Sequence, residues 1–205
     1  AGMAKQRKVE VIQGLASFTG MNEIEVAGES GKRAVTFRNA IIAVGSQSVE
    51  LPNMPWGDPR LMDSTAALEL EEIPGRLLVV GGGIIGLEMA CVYDGLGSEV
   101  TVVELTSGLM PGTDTDLVRP LERRIRKRYK AIHLDTKVSR IDVADDCLVL
   151  HFEGKHSGTE KFDRVLVAVG RTPKGKRVNA EAAGVNVDER GFIAVDEQMR
   201  TNVPH

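Results

Sequence analysis

The residues best placed to do chemistry are a short glycine run, Gly81-Gly82-Gly83-Ile84-Ile85-Gly86, and a carboxylate downstream of it, Glu104. Glycines at 81, 83 and 86 match the GxGxxG spacing with which a strand-to-helix turn cradles a pyrophosphate. Gly81 permits the tight turn, Gly83 carries no Cβ to obstruct a phosphate, and Gly86 lets the helix pack closely on the strand. The helix N-terminus adds unpaired N–H donors and a partial positive charge. Glu104, at the motif's spacing of about 20 residues, is able to accept hydrogen bonds from both hydroxyls of an adenosine ribose. A 2′-phosphate would meet that carboxylate at close range, and no Lys or Arg lies between Glu104 and Met110 to offset it. NAD is therefore expected over NADP. Read more plainly, the run is a glycine-rich turn and Glu104 a surface strand end, but its surroundings favour the nucleotide reading.

Those surroundings are a strand-helix-strand unit. Residues 77–80 read as a buried strand, 84–96 as a helix and 100–104 as the next strand. Further along, two stretches look like copies, one around Phe37 and one around Phe162, each ending an apolar run in Ala-Val-Gly at Gly45 and Gly170. A strand that stops at a glycine can bring its backbone close to a ligand, although a plain strand end gives the same pattern. Short strand-like runs precede each copy: 9–13, 23–27 and 34–37 with a turn at 28–31, then 137–143 and 147–153 with a turn at Asp145-Asp146. Two homologous halves are expected, each with an antiparallel meander leading into its Ala-Val-Gly strand. Only the second has its own strand-helix-strand unit. The proline-rich stretch 51–59 reads as a linker, with Asp63-Ser64 as the N-cap of a short helix reaching Leu70.

Composition narrows the function classes. The 205 residues carry 26 Lys+Arg against 29 Asp+Glu, and 42% are hydrophobic. That suits a globular fold with a real core and supplies no global basic field for nucleic acid or anionic membrane. No apolar run approaches the roughly 18 residues of a membrane span, so a soluble, cytoplasmic protein is expected. The first residues lack a signal peptide's apolar core and the chain does not begin with Met, so processing or truncation upstream is expected. Cys91 and Cys147 form no CxxC or CxxxxC pair. Both are expected to be buried thiols, with no redox dithiol and no metal centre. From Arg119 to Lys130 seven basic residues face one acid, with Leu117, Leu121 and Ile125 at helical spacing. An amphipathic helix with a solvated outer face is expected; a docking face for an acidic partner is the sharper alternative.

Four stretches make the resemblance specific: Leu78 through the glycine run to Met89, Asp58-Pro59-Arg60-Leu61-Met62-Asp63-Ser64, Val167 to Pro173, and Gly191 to Asp196. Together they resemble the dihydrolipoyl dehydrogenases, FAD-dependent pyridine nucleotide–disulfide oxidoreductases. The resemblance covers essentially the whole chain, from the later part of that family's FAD domain through its NAD domain. It implies an α/β fold: a Rossmann-like NAD-binding domain with a parallel sheet and a three-stranded antiparallel meander, plus part of an FAD-binding domain. The implied boundaries are 1–63 for the partial FAD domain, 64–185 for the NAD domain and 186–205 for a return segment.

The same resemblance implies cofactor contacts at Gly81, Gly82, Gly83, Ile84, Ile85, Gly86 and Glu104 for NAD. It adds Val138 on the adenine side, Gly170 towards the nicotinamide, Arg171 as a further cofactor contact, and Gly14 as a backbone contact to FAD. Glu88 is implied to lie near nicotinamide and flavin; otherwise it is a first-turn carboxylate complementing the helix dipole. Ile84 stands where related reductases carry a gating Tyr, so aromatic gating is not expected. In that family electrons pass from dihydrolipoamide through a CxxxxC disulfide and FAD to NAD, and a His-Glu base assists. This sequence has no CxxxxC, and its histidines at 133, 151, 156 and 205 do not match the base motif. No catalytic residue is therefore expected, and the chain is expected to be an internal fragment, inactive alone. The implied partners are NAD(H), dihydrolipoamide-bearing proteins of a 2-oxo acid dehydrogenase complex, and a second copy in a homodimer, without nucleic acid. A non-catalytic nucleotide-binding module and a piece of another flavin disulfide reductase are the alternatives.

Overall fold

A computed structural model describes residues 2–205. The chain divides into two compact units: one takes in the chain up to Gln47 together with Thr172–His205, the other is Ser48–Arg171.

In the first unit a short helix α1 (Gly2–Gln6) precedes an antiparallel meander, β1 (Leu15–Gly20), β2 (Glu23–Gly28) and β3 (Gly31–Thr36), in the order β1-β2-β3. Phe18 is buried with Ala180, Ala183 and Val185 from the returning chain, and Phe37 meets its ring edge-on at 6.0 Å. Strand β4 (Ser46–Ser48) lies where the chain leaves this unit. Two expectations change. Residues 9–13 are not a strand, and Val9 and Val11 are exposed. Residues 40–45 are not a strand either, and Ile41 is 95% exposed. Apolar alternation makes a strand only where another strand supplies the hydrogen bonds. Among the described residues no strand pairs with either segment, and residues 40–45 are bonded only at their ends, the Ala40 amide donating to the His205 carbonyl at 2.9 Å and the Gly45 carbonyl accepting from the Lys174 amide at 3.0 Å.

The second unit is built on a five-stranded parallel sheet. Its strands are β5 (Leu61–Met62), β6 (Arg76–Val80), β7 (Glu99–Val103), β8 (Ala131–His133) and β12 (Arg164–Val167), in the order β5-β12-β6-β7-β8. Helices α2 (Ser64–Glu69), α3 (Ile84–Gly95) and α4 (Thr115–Ile125) lie along the chain between β5 and β8. A second antiparallel meander, β9 (Thr136–Val143), β10 (Leu148–Gly154) and β11 (Gly158–Phe162), connects β8 to β12. Strand β13 (Arg171–Pro173) follows.

Alternation along each parallel strand explains why the sheet is covered on both faces. Leu77, Val79, Val100, Val102 and Leu166 pack with Leu87, Ala90 and Tyr93 of α3 and Val118 and Ile125 of α4. Their neighbours Leu78, Val80, Val103, Val165 and Val167 pack with Leu148, Leu150, Phe152 and Phe162 of the meander. Each large aliphatic side chain buried this way contributes on the order of 1.5–3 kcal/mol. The polar group of the most enclosed aromatic is paired, with the Tyr93 hydroxyl donating to the carbonyl of Ala67 at 2.9 Å.

Local signals held for α2, where Asp63 accepts from the amides of Thr65 and Ala66 at 2.9 Å and Leu70 closes the helix with φ 51°. The basic helix is shorter than expected. It ends at Ile125 and contains Pro120. Leu117 is 67% exposed, while Val118 and Ile125 face the core. Several cations of the basic run beyond the helix's end are paired: Arg126 with Glu122, Arg128 with Asp94 and Lys130 with Glu99. Cys147 is buried as expected, but Cys91 is exposed on α3 and accepts a hydrogen bond from the Tyr129 hydroxyl at 3.3 Å.

The segment before β5 is pinned to the second meander by charge. Arg60 donates to both carboxylate oxygens of Asp58, at 2.9 and 2.7 Å, and reaches the carbonyl of Ala144 at 2.9 Å. The guanidinium's hydrogen bonds hold the Asp58 carboxyl below the usual aspartate value despite its burial. A carboxyl depressed in the folded state stabilises the fold above its unfolded value and loses that contribution as pH falls through the folded one. Asp58→Asn should therefore destabilise most near neutrality, with the difference from wild type shrinking in acid. Urea melts across pH check this; a difference independent of pH would contradict it.

Candidate dinucleotide site

All five parallel strands end at one edge, and the chain's direction of travel reverses there. From β6 it steps through α3 to β7 and then to β8 on one side, whereas β12 lies on the other side of β6. In open α/β sheets the crevice at such a reversal, beyond the carboxyl ends of the strands, is where ligands bind. The glycine run leaves β6 at this point.

The four glycines differ sharply in what surrounds them. Gly81 has φ 110°, donates to the Val103 carbonyl at 2.8 Å, and a Cβ on it would lie 2.4 Å from the Ala168 carbonyl oxygen. A Cβ on Gly82 would lie 2.6 Å from a Leu109 methyl. One on Gly86 would lie 2.1 Å from the Gly81 carbonyl oxygen. Gly83, by contrast, faces open space with nothing within 4 Å, and it is the N-cap of α3 without any side-chain cap. The first-turn N–H groups of a helix have no partner within it, so those after Gly83 are available to an anion. Ile84 beside them is 58% exposed and Ile85 half-buried.

Glu104 is only 7% exposed, and its carboxylate holds the loop together. One oxygen accepts from the Gly82 amide at 2.7 Å; the other accepts from the amide and hydroxyl of Thr106, both at 2.8 Å. A carboxylate has about four acceptor positions, so one direction remains for a ribose hydroxyl. The Gly82 carbonyl in turn accepts from the Met110 amide at 2.8 Å. Thr106, Leu109 and Met110 therefore belong to the site's frame, and the sequence reading did not single them out. The hint was Gly82, a fourth glycine that the motif does not demand.

The remaining candidates are more dispersed. Glu88 is the fifth residue of α3 and exposed, so it is not a first-turn carboxylate. Gly170, with φ 133°, and Arg171 follow β12, and Arg171 donates to the Ser64 hydroxyl at 3.3 Å. Val138 lies on β9 opposite Phe152, beside a bulge in the pairing, and packs on the meander core. Gly14 belongs to the first compact unit, where a Cβ would lie 2.5 Å from the Ala27 carbonyl oxygen, so packing alone accounts for its glycine.

This arrangement defines a Rossmann-like α/β unit with its glycine turn at the sheet's reversal point. The model of the pyridine nucleotide-disulphide oxidoreductase family matches residues 1–205, and the chain belongs to that family. Dihydrolipoyl dehydrogenase of Vibrio cholerae is 55% identical over 207 residues, covering 100% of this chain and 43% of the relative. The Haemophilus influenzae enzyme of the same name is 51% identical over the same span. Among solved structures, the Cu(II) complex of the HOCl-induced flavoprotein disulfide reductase RclA from Escherichia coli superposes with a TM-score of 0.88 at 31% identity. That match covers 98% of this chain and 45% of the other. The chain thus spans less than half the length of the curated relatives it matches.

The backbone contact at Gly86 gives a direct test of the turn. Gly86→Ala should destabilise the chain by about 1–3 kcal/mol or more, because a carbonyl rather than a flexible side chain must move. Denaturant melts measure it; an unchanged midpoint would show that the turn does not need this glycine.

Proposed function

We propose that the Ser48–Arg171 unit binds NAD(H) and belongs to a flavin-dependent disulfide oxidoreductase with dihydrolipoyl dehydrogenase chemistry. The observation that carries this is Gly83. It is open on the ligand side, at the sheet's reversal point, while Gly81, Gly82 and Gly86 are closed in by protein atoms. Packing accounts for three of the glycines, and the openness of the fourth, at the N-terminus of α3, supports a pyrophosphate there.

The residues divide the work of holding the nucleotide. The amides of Gly83, Ile84 and Ile85 take the pyrophosphate, and the N-terminal end of α3 adds its partial charge. Glu104, fixed by Gly82 and Thr106, offers its remaining acceptor direction to the ribose and repels a 2′-phosphate. Val138 serves the adenine side, and Gly170 with Arg171 the nicotinamide side. Bound nicotinamide supplies a hydride-accepting ring; the protein's part is to orient it and exclude water. In this reading the Ser48–Arg171 unit is the NAD domain expected at 64–185, and the other unit, the chain up to Gln47 with Thr172–His205, contributes to an FAD domain. Dihydrolipoamide-bearing proteins and a second copy are the parent's partners, in the cytoplasm. With no CxxxxC in its sequence, this chain by itself should not oxidise dihydrolipoamide.

The test is titration with NADH and NADPH, followed by nucleotide fluorescence, on wild type and Gly83→Ala. NADH should bind more tightly than NADPH. Gly83→Ala changes an open N-cap position at φ −79°, which alanine adopts freely. It should lower the melting temperature by no more than about 4 °C and weaken NADH at least tenfold. Equal NADH binding by variant and wild type would overturn the reading.

A further inference from the structure

Away from the glycine turn, three side chains with metal-ligand chemistry meet on one side of the second meander. His133 ends β8, His156 lies in the turn between β10 and β11, and Glu160 is on β11. One ligand atom from each lies within 4.8 Å of the other two. The Nε2 of His156 is 2.9 Å from Glu160 Oε1, and the Nε2 of His133 is 3.9 Å from the same oxygen. The His133 Nε2 is buried and has no hydrogen-bond partner, a costly state for an imidazole nitrogen.

We propose that His133, His156 and Glu160 form a three-ligand site for a single divalent transition ion of the zinc type. Four-coordinate zinc at ~2.0–2.1 Å from each ligand requires neighbouring ligand atoms about 3.3 Å apart. The two distances to Glu160 Oε1, 2.9 and 3.9 Å, bracket that separation. Two imidazoles with one carboxylate suit zinc and its borderline neighbours, not magnesium or calcium, which take oxygen sets. The orphaned nitrogen of His133 would gain its missing partner.

The backbone holds the three residues in place. Gly154, at φ 125°, brings the turn against β9, where a Cβ would lie 2.2 Å from the Asp135 carbonyl oxygen. The Lys155 amide donates to that carbonyl at 2.9 Å, and the His156 amide donates to the hydroxyl of buried Thr136 at 3.2 Å. The two imidazoles stack at 3.8 Å with planes 10° apart. Parallel rings cannot both aim lone pairs at one ion, so binding rotates His156, whose side chain is 33% exposed, out of the stack. Glu160, 38% exposed, leaves the fourth position open to water.

Isothermal titration of the full 205-residue chain with ZnCl2, and Co(II) absorption in the visible, test the site. Wild type should take up one ion per chain with a tetrahedral Co(II) spectrum. His156→Gln and Glu160→Gln, both at partly exposed positions, should fold with unchanged far-ultraviolet dichroism and weaken zinc at least tenfold. Cys91→Ser should bind like wild type, because the exposed Cys91 thiol is the obvious rival ligand. The proposal is overturned if wild type gives no saturable binding, if both ligand variants bind like wild type, or if Cys91→Ser abolishes binding.

Discussion

A buried carboxylate sets the shape of the candidate site. Glu104 is fixed at the end of β7 by the parallel sheet, and from there it holds the Gly82 amide on one side and Thr106 on the other. Hydrogen bonds to an ionised group are stronger than neutral ones, and in a buried position each is hard to replace. The glycine turn is thus built before any ligand arrives. Gly81 is joined to β7 through the Val103 carbonyl, Gly86 is pressed on the Gly81 carbonyl, and Gly83 is left facing outward. The sheet, covered by helices on one face and the second meander on the other, keeps these strand ends in register.

Much of this was legible in the sequence because the signals were local. Four apolar residues before the glycines mark β6, the N-cap Asp63 marks α2, and Asp145-Asp146 marks the turn between β9 and β10. The local geometry of the run fits the motif, with a positive φ at Gly81, close helix packing at Gly86 and open space at Gly83. Glu104 was found from its spacing, but its role in clamping the loop was not, because nothing in the spacing says that Gly82 and Thr106 turn their donors towards it.

What failed to show depends on distant partners. Residues 40–45 have the same apolar pattern as β12, yet only β12 has parallel neighbours on both sides to complete its hydrogen bonds. Of the apolar face expected for α4, Leu121 and Ile125 reach the core but Leu117 points to solvent, and Val118, which the spacing did not single out, is buried instead. His133, His156 and Glu160 come from a parallel strand and a hairpin that the fold alone brings together, so no motif spacing joins them.

The central claim is that the turn is prebuilt and offers the first-turn amides of α3, not the Gly82 amide, to a nucleotide. Backbone amide resonances followed during an NADH titration test it most directly. Shifts are expected at Gly83, Ile84 and Ile85, with the Gly82 amide remaining bonded to Glu104 and protected from exchange. Loss of Gly82 protection on binding, or shifts confined to residues outside the Ser48–Arg171 unit, would contradict it.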